Sequence, residues 1–253
     1  MVTLTSRRIS GVGTPEGEWV DWPGLARIPE IDPDALVPNG YRAVVVAPHP
    51  DDEVLGTGGL LARLSASGRE ILIVAATDGE ASHPGSPRWP AHALAQQRAL
   101  ERRMALQHLG IERSPVIQAH LRDGALASDE QALTSFLSLH CGMNDVLFVT
   151  WRLDGHPDHE AAARAVLRHA AATGAKVVEI PIWGWHWTVP ADPCVPWSHA
   201  RRVALDPRLL ARKRRAVACF VSQTKPDRST GREAILPAWA LTRSLRPYEV
   251  VFL

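Results

Sequence analysis

Over most of the chain, short unbroken apolar runs alternate with longer stretches of mixed apolar and polar character. Residues 42–47 (RAVVVA), 70–77 (EILIVAAT), 115–119, 145–150 (DVLFVT) and 176–182 (KVVEIPI) read as strands. The stretches 53–67, about 90–109, 128–139 and 157–172 read as the helices that follow the first four of them. Uninterrupted Val/Ile/Leu runs mark strands covered on both faces, and their alternation with helices points to a mainly parallel sheet. The expected fold is a doubly wound α/β sheet with helices on both faces, a three-layer α/β/α arrangement. Residues 201–205 and 249–252 are later strand candidates, with a basic amphipathic helix over 207–221 between them. Residues 1–40 are rich in Gly, Pro, Trp and acids and show no period; they are expected to form an irregular N-terminal arm on a single domain spanning 41–253.

Composition narrows the class. The chain has 253 residues, 45% hydrophobic and 22% charged, which is ordinary for a globular protein. A chain of this size buries about three quarters of its unfolded surface and needs no disulfide staples. A formal net charge of +1 provides no electrostatic footprint, so neither nucleic acid nor an anionic membrane is an expected partner. No stretch approaches the ~18 apolar residues of a membrane span, and the opening MVTLTSRRIS lacks the apolar core of a signal peptide. Cys141, Cys194 and Cys219 form no CxxC pair, which fits a reducing, cytoplasmic location.

The candidate chemistry lies in two loops. In doubly wound sheets ligands bind beyond the carboxyl ends of the strands. After the first strand comes Pro48-His49-Pro50-Asp51-Asp52-Glu53, and after the fourth Asp154-Gly155-His156-Pro157-Asp158-His159-Glu160. His49 and Asp52 are close enough in sequence to grip one metal ion, and His159 can add a third ligand from across the crevice. Such a set leaves a coordination position open, as catalytic zinc sites do, and zinc there would bring the pKa of a bound water to roughly 7. Asp51, free of the metal, can take the water's proton and pass it to a leaving amine. His156, before a proline suited to the first helical position, can stabilise an oxyanion. Either loop alone reads equally well as a structural loop. Their coincidence after two parallel strands favours one zinc per chain, with another divalent metal or a non-catalytic metal site as alternatives.

These residues carry a resemblance. APHPDDEVLGTGGLLARL and DGHPDHEAAARAV resemble the paired signatures of the PIG-L/LmbE deacetylases. Weaker likeness extends to TDGEAS, to QRALERRMALQHLG, to Arg122-Asp123-Gly124, and faintly to SQT and RPYEVVF, so that the main resemblance covers residues 41–172. It implies a Rossmann-like fold without a dinucleotide and zinc-dependent removal of an N-acetyl or small acyl group from an amino sugar or glycoconjugate. By that pattern His49, Asp52 and His159 would be the zinc ligands and Asp51 the general base and acid. His156 would stabilise the oxyanion, Asp158 would orient a neighbouring histidine, and Arg98 and Asp123 would contact substrate. An amidase acting on a thiol conjugate or another N-acylated small molecule is the alternative within enzymes. A non-catalytic metal- or ligand-binding protein is the alternative outside them. An NAD-dependent oxidoreductase lacks its glycine fingerprint here.

Other features have two readings each. Gly56, Gly58 and Gly59 are expected to permit close helix–strand packing. In WGWHW an extended chain would put Trp183, Trp185 and Trp187 on one face. That face, with His186, would meet a ligand, the core or, in a homo-oligomer, another subunit. Trp89, in the loop 83–90, is a candidate rim residue; 212–215 (RKRR) reads as a solvated face; His92, His108, His140 and His169 read as surface or capping residues.

Overall fold

The computed structural model describes Arg7 and residues 9–253; residues 1–6 and 8 of the expected arm lie outside the described residues. Three short helices, α1 (Glu16–Asp21), α2 (Pro23–Arg27) and α3 (Pro33–Leu36), precede the first strand. There follow β1 (Arg42–Ala47), α4 (Asp52–Ala66), β2 (Ile71–Thr77), α5 (Ala91–Leu109), β3 (Val116–Leu121), α6 (Leu126–His140), β4 (Asp145–Thr150), α7 (Pro157–Thr173) and β5 (Lys176–Ile180). The C-terminal part holds α8 (Gly184–Trp187), β6 (Ala200–Ala204), α9 (Pro207–Val217), α10 (Val221–Thr224), α11 (Ala238–Ser244) and β7 (Tyr248–Phe252).

The strands form one seven-stranded sheet in the order β3-β2-β1-β4-β5-β7-β6. The first five are parallel, and β7 runs antiparallel to both β5 and β6. The fold is therefore the expected three-layer α/β/α sheet, mostly parallel with an antiparallel edge. Successive strand residues face opposite layers. Val45, Ile73 and Phe148 pack with Leu60, Leu106 and Leu209 of α4, α5 and α9, whereas Val44, Val46 and Val149 pack with Leu133 of α6 and Val166 of α7. Chain order reverses between β1 and β4, so the loops leaving those strands open onto one crevice. Among the described residues no helix is long and apolar enough to cross a membrane.

Several local expectations change. The segment after β5 is not extended: Gly184–Trp187 makes a helical turn. Trp185 and Trp187 are buried in a third cluster with Trp19, Trp151 and Phe252, whereas Trp183 lines the cleft formed at the two loops. The three indoles thus do not share a face, because the backbone N–H groups of residues 182–184 are turned inward by a buried carboxylate described below. His169 is buried rather than superficial. The glycines of α4 do sit under close contacts: a Cβ on Gly56 would lie 2.6 Å from Ile180, and one on Gly59 would meet Leu205.

The 212–215 segment is not wholly solvated either. Lys213 and Glu249 each have side chains only 1% exposed, with Nζ 2.7 Å from Oε1. Lys213 also donates to the Leu55 carbonyl, while Glu249 accepts from the Gly59 and Leu60 N–H groups, so the pair ties α4, α9 and β7 together. Removing one member strands the other charge in an apolar layer. Lys213→Ala is expected to cost about 3–5 kcal/mol of stability, read as a lowered urea midpoint. An unchanged midpoint would show that the pair stabilises nothing.

Candidate metal centre and active site

β1 ends at Ala47, and the turn Pro48-His49-Pro50-Asp51 leads into α4 with Asp52 as its first residue. An acid suits the positive end of a helix, and Asp52 Oδ2 also accepts the His49 N–H at 2.9 Å. Across the crevice His156 caps α7: its Nδ1 accepts the Asp158 N–H at 3.2 Å, with Pro157 in the first helical position. Starting α7 there turns His159 inward, where it is fully buried.

The two loops meet. Asp52 Oδ2 lies 3.3 Å from His49 Nδ1 and 3.3 Å from His159 Nε2. Ligands at ~2.0–2.1 Å from a tetrahedral ion stand about 3.3 Å apart. His159 Nε2 is buried and has no hydrogen-bond partner. An orphaned nitrogen facing a carboxylate at that spacing fits a metal position, and His156 also lies close, its ring centroid 4.8 Å from those of both His49 and His159. The structure thus contains a His/Asp cluster able to bind a metal.

Four more groups surround it. Asp51 is buried, and its Oδ2 accepts from the Arg98 guanidinium at 3.0 Å; Arg98, 3% exposed, also donates to the Gly79 carbonyl. Asp123 and Asp158 lie 3.2 and 3.3 Å from His49 Nε2. Asp158 is fixed by the N–H groups of Gly124 and Leu126, and Asp123 by that of Ala81. Asp154 carries the largest load: Oδ2 accepts from His159 Nδ1 at 2.7 Å and Trp183 N–H, and Oδ1 from the Ile182 and Gly184 N–H groups.

Burial opposes charge on the imidazoles, but the carboxylates outweigh it. Asp123, Asp158 and Asp52 hold the pKa of His49 well above its ordinary value, and Asp52 with Asp154 raises that of His159 to about 9. His156 goes the other way, pushed down to about 3 by burial and by His159 and His49. It is therefore a neutral ring whose Nδ1 accepts and whose Nε2 carries the proton. Asp51 is raised by burial, against the pull of Arg98.

The family model described as "PIG-L: GlcNAc-PI de-N-acetylase" matches residues 44–170, half of the chain and both loops. The chain belongs to the PIG-L family. A 1D-myo-inositol 2-acetamido-2-deoxy-alpha-D-glucopyranoside deacetylase of Mycobacteroides abscessus is 30% identical over 193 residues, covering 66% of this chain and 66% of that one. The matched stretch thus spans about two thirds of that curated relative. The conserved protein TT1542 of Thermus thermophilus has a similar structure, with a TM-score of 0.55 at 26% identity over 73% of this chain and 80% of that one. An N,N'-diacetylchitobiose deacetylase of Pyrococcus horikoshii shares the fold, with a TM-score of 0.55 at 20% identity over 75% and 73% of the two chains.

In this PIG-L protein the eight residues singled out from the sequence gather at one crevice. Arg98 lines the cleft with its guanidinium bonded to Asp51. Sequence reasoning quoted Asp154 but gave it no role. The available signal was a carboxylate five residues before His159, the kind of partner that fixes the tautomer of a metal-bound imidazole. Asp154→Asn is expected to weaken metal affinity by about 10–100-fold with the fold retained, as read by calorimetric titration of the metal-free protein. Unchanged affinity would remove Asp154 from the site's support.

Proposed function

We propose that this PIG-L protein is a zinc-dependent N-deacetylase that hydrolyses the acetamide of an amino sugar or glycoconjugate to acetate and the free amine. The observation that carries this reading is a carboxylate, Asp51, buried beside the His49/Asp52/His159 cluster and held by Arg98 rather than by either histidine. A site built only to bind a metal has no use for it. Membership of a family whose named relatives are deacetylases supports the same reaction.

His49, Asp52 and His159 would hold the ion; two imidazoles and a carboxylate are a donor set suited to zinc. When bound, zinc supplies Lewis acidity, polarising a carbonyl and making water nucleophilic near neutral pH. The chain's own residues do the rest. Asp51 takes a proton from the attacking water on its carboxylate and delivers it to the amide nitrogen as the C–N bond breaks. Arg98 keeps that carboxylate in place. His156, neutral and protonated on Nε2, donates to the carbonyl oxygen as negative charge develops there. Asp158 and Asp154 orient His49 and His159 from behind.

Reconstituting metal-free protein with zinc should yield acetate release from N-acetylglucosamine or its simple glycosides. Protein that binds no divalent ion would overturn the reading. Asp51→Asn should lower kcat by about 10²–10⁴-fold with zinc still bound, and full activity in that variant would remove the proton-transfer role. His156→Ala should cost about 10²–10³-fold in kcat with little change in KM; a change confined to KM would make it a binding residue instead.

A further inference from the structure

The cleft over the metal cluster has a volume of about 260 Å³. That is at the lower edge of the ~300–1,000 Å³ usual for small-molecule sites, room for one sugar-sized group and a modest substituent. Beyond the residues already given roles, its walls are of two kinds. Ser82 and Gln223 offer polar atoms; Leu55, Trp183, Ile235 and Leu236 are apolar. Ile182, Ala240 and Leu241 stand behind three of the apolar four around a smaller cavity, which Arg243 and Ser244 also line.

Two features of these walls bear on what they would accept. Arg98 is the one arginine or lysine among the described lining residues, and Asp51 already neutralises it. The remaining charged lining residues are carboxylates or the histidines of the cluster. A phosphate or carboxylate on the substrate would leave water for a wall whose one guanidinium is already paired. In addition, Ile235 is a large apolar residue left 38% exposed, and Trp183 is half-buried beside the cleft with its backbone N–H fixed at 2.9 Å to Asp154 Oδ2. The Leu236 N–H bonds the Gln223 carbonyl at 2.8 Å, which sets that residue against α10. The backbone of Trp183 is thus held by the same carboxylate that orients His159, which fixes where its side chain leaves the chain beside the cluster.

We infer that the outer cleft selects an amino sugar whose substituent is uncharged and apolar, an aryl or alkyl aglycone, with Trp183 as the specificity-determining residue. This rests on the amino-sugar reading of the site and deepens it. An aromatic face against the substituent stabilises the complex, while an anionic one finds no unpaired guanidinium or ammonium among the described lining residues.

The test is calorimetric binding of product-like amines to the zinc-loaded full chain: the phenyl and methyl glycosides of glucosamine, and glucosamine 1-phosphate. The phenyl glycoside should bind about tenfold more tightly than the methyl one, and the phosphate more weakly than either. Trp183→Ala should erase the phenyl advantage and leave the methyl glycoside nearly unchanged, while Trp183→Phe should keep most of it. Equal affinities for phenyl and methyl, tighter binding of the phosphate, or a uniform loss in Trp183→Ala with Trp183→Phe would each overturn the inference. Those outcomes leave deacetylation standing, because the readout needs no turnover. Binding of acetanilide with no binding of any glucosamine derivative would retire the amino-sugar reading and keep the apolar wall.

Discussion

One buried carboxylate organises the crevice. Asp154 has no exposure, and an ionised group in that position is tolerable only when every lone pair is met. Four donors meet it, three of them backbone N–H groups of residues 182–184 and the fourth His159 Nδ1. Its own backbone carbonyl takes the Trp187 indole N–H. The requirement explains several features at once. It bends the chain after β5 into a helical turn, holds a proton on His159 Nδ1, and so presents Nε2 to Asp52. It also decides which tryptophan faces the cleft and which enter the core.

The strands and both site loops were legible because their signals are local. A run such as RAVVVA or DVLFVT declares a strand covered on both faces, and a loop after a parallel strand must open at its carboxyl end. The motifs did the same for His49, Asp51, Asp52, His156, Asp158 and His159, which share two short segments. What stayed hidden depends on partners far along the chain. WGWHW alternates like a strand, yet Asp154, about thirty residues earlier, bends it into a helical turn. Lys213 reads as one more surface cation until Glu249 arrives from the last strand. The bond from Arg98 to Asp51 joins residues 47 positions apart, so no local pattern announces it.

Charge ties the fold to the chemistry. Asp51, Asp52, Asp123, Asp154 and Asp158 converge on two imidazoles and one guanidinium, and the pKa values of His49 and His159 rise in response. A cluster with that excess of negative charge is a place prepared for a cation. His156 stays neutral within it because burial and the two neighbouring imidazoles act in one direction. Roles separate by environment rather than by residue type: three histidines a few ångströms apart titrate in opposite directions.

The His/Asp cluster and the carboxylates around it all fall between residues 44 and 170, the stretch matched by the family. Trp183, Gln223, Ile235 and Leu236, which complete the cleft, all come after it. On the reading proposed above, the reaction and the choice of substrate are carried by different parts of the chain. The first part is held by β1, β4 and the helices that follow them, where a small displacement would break the metal geometry. The second hangs on loops and short helices, α10 against α5 and α11 against α4, where side chains can change without disturbing the cluster. Kinship over the first part therefore transmits the chemistry and leaves the substrate to be read from the second.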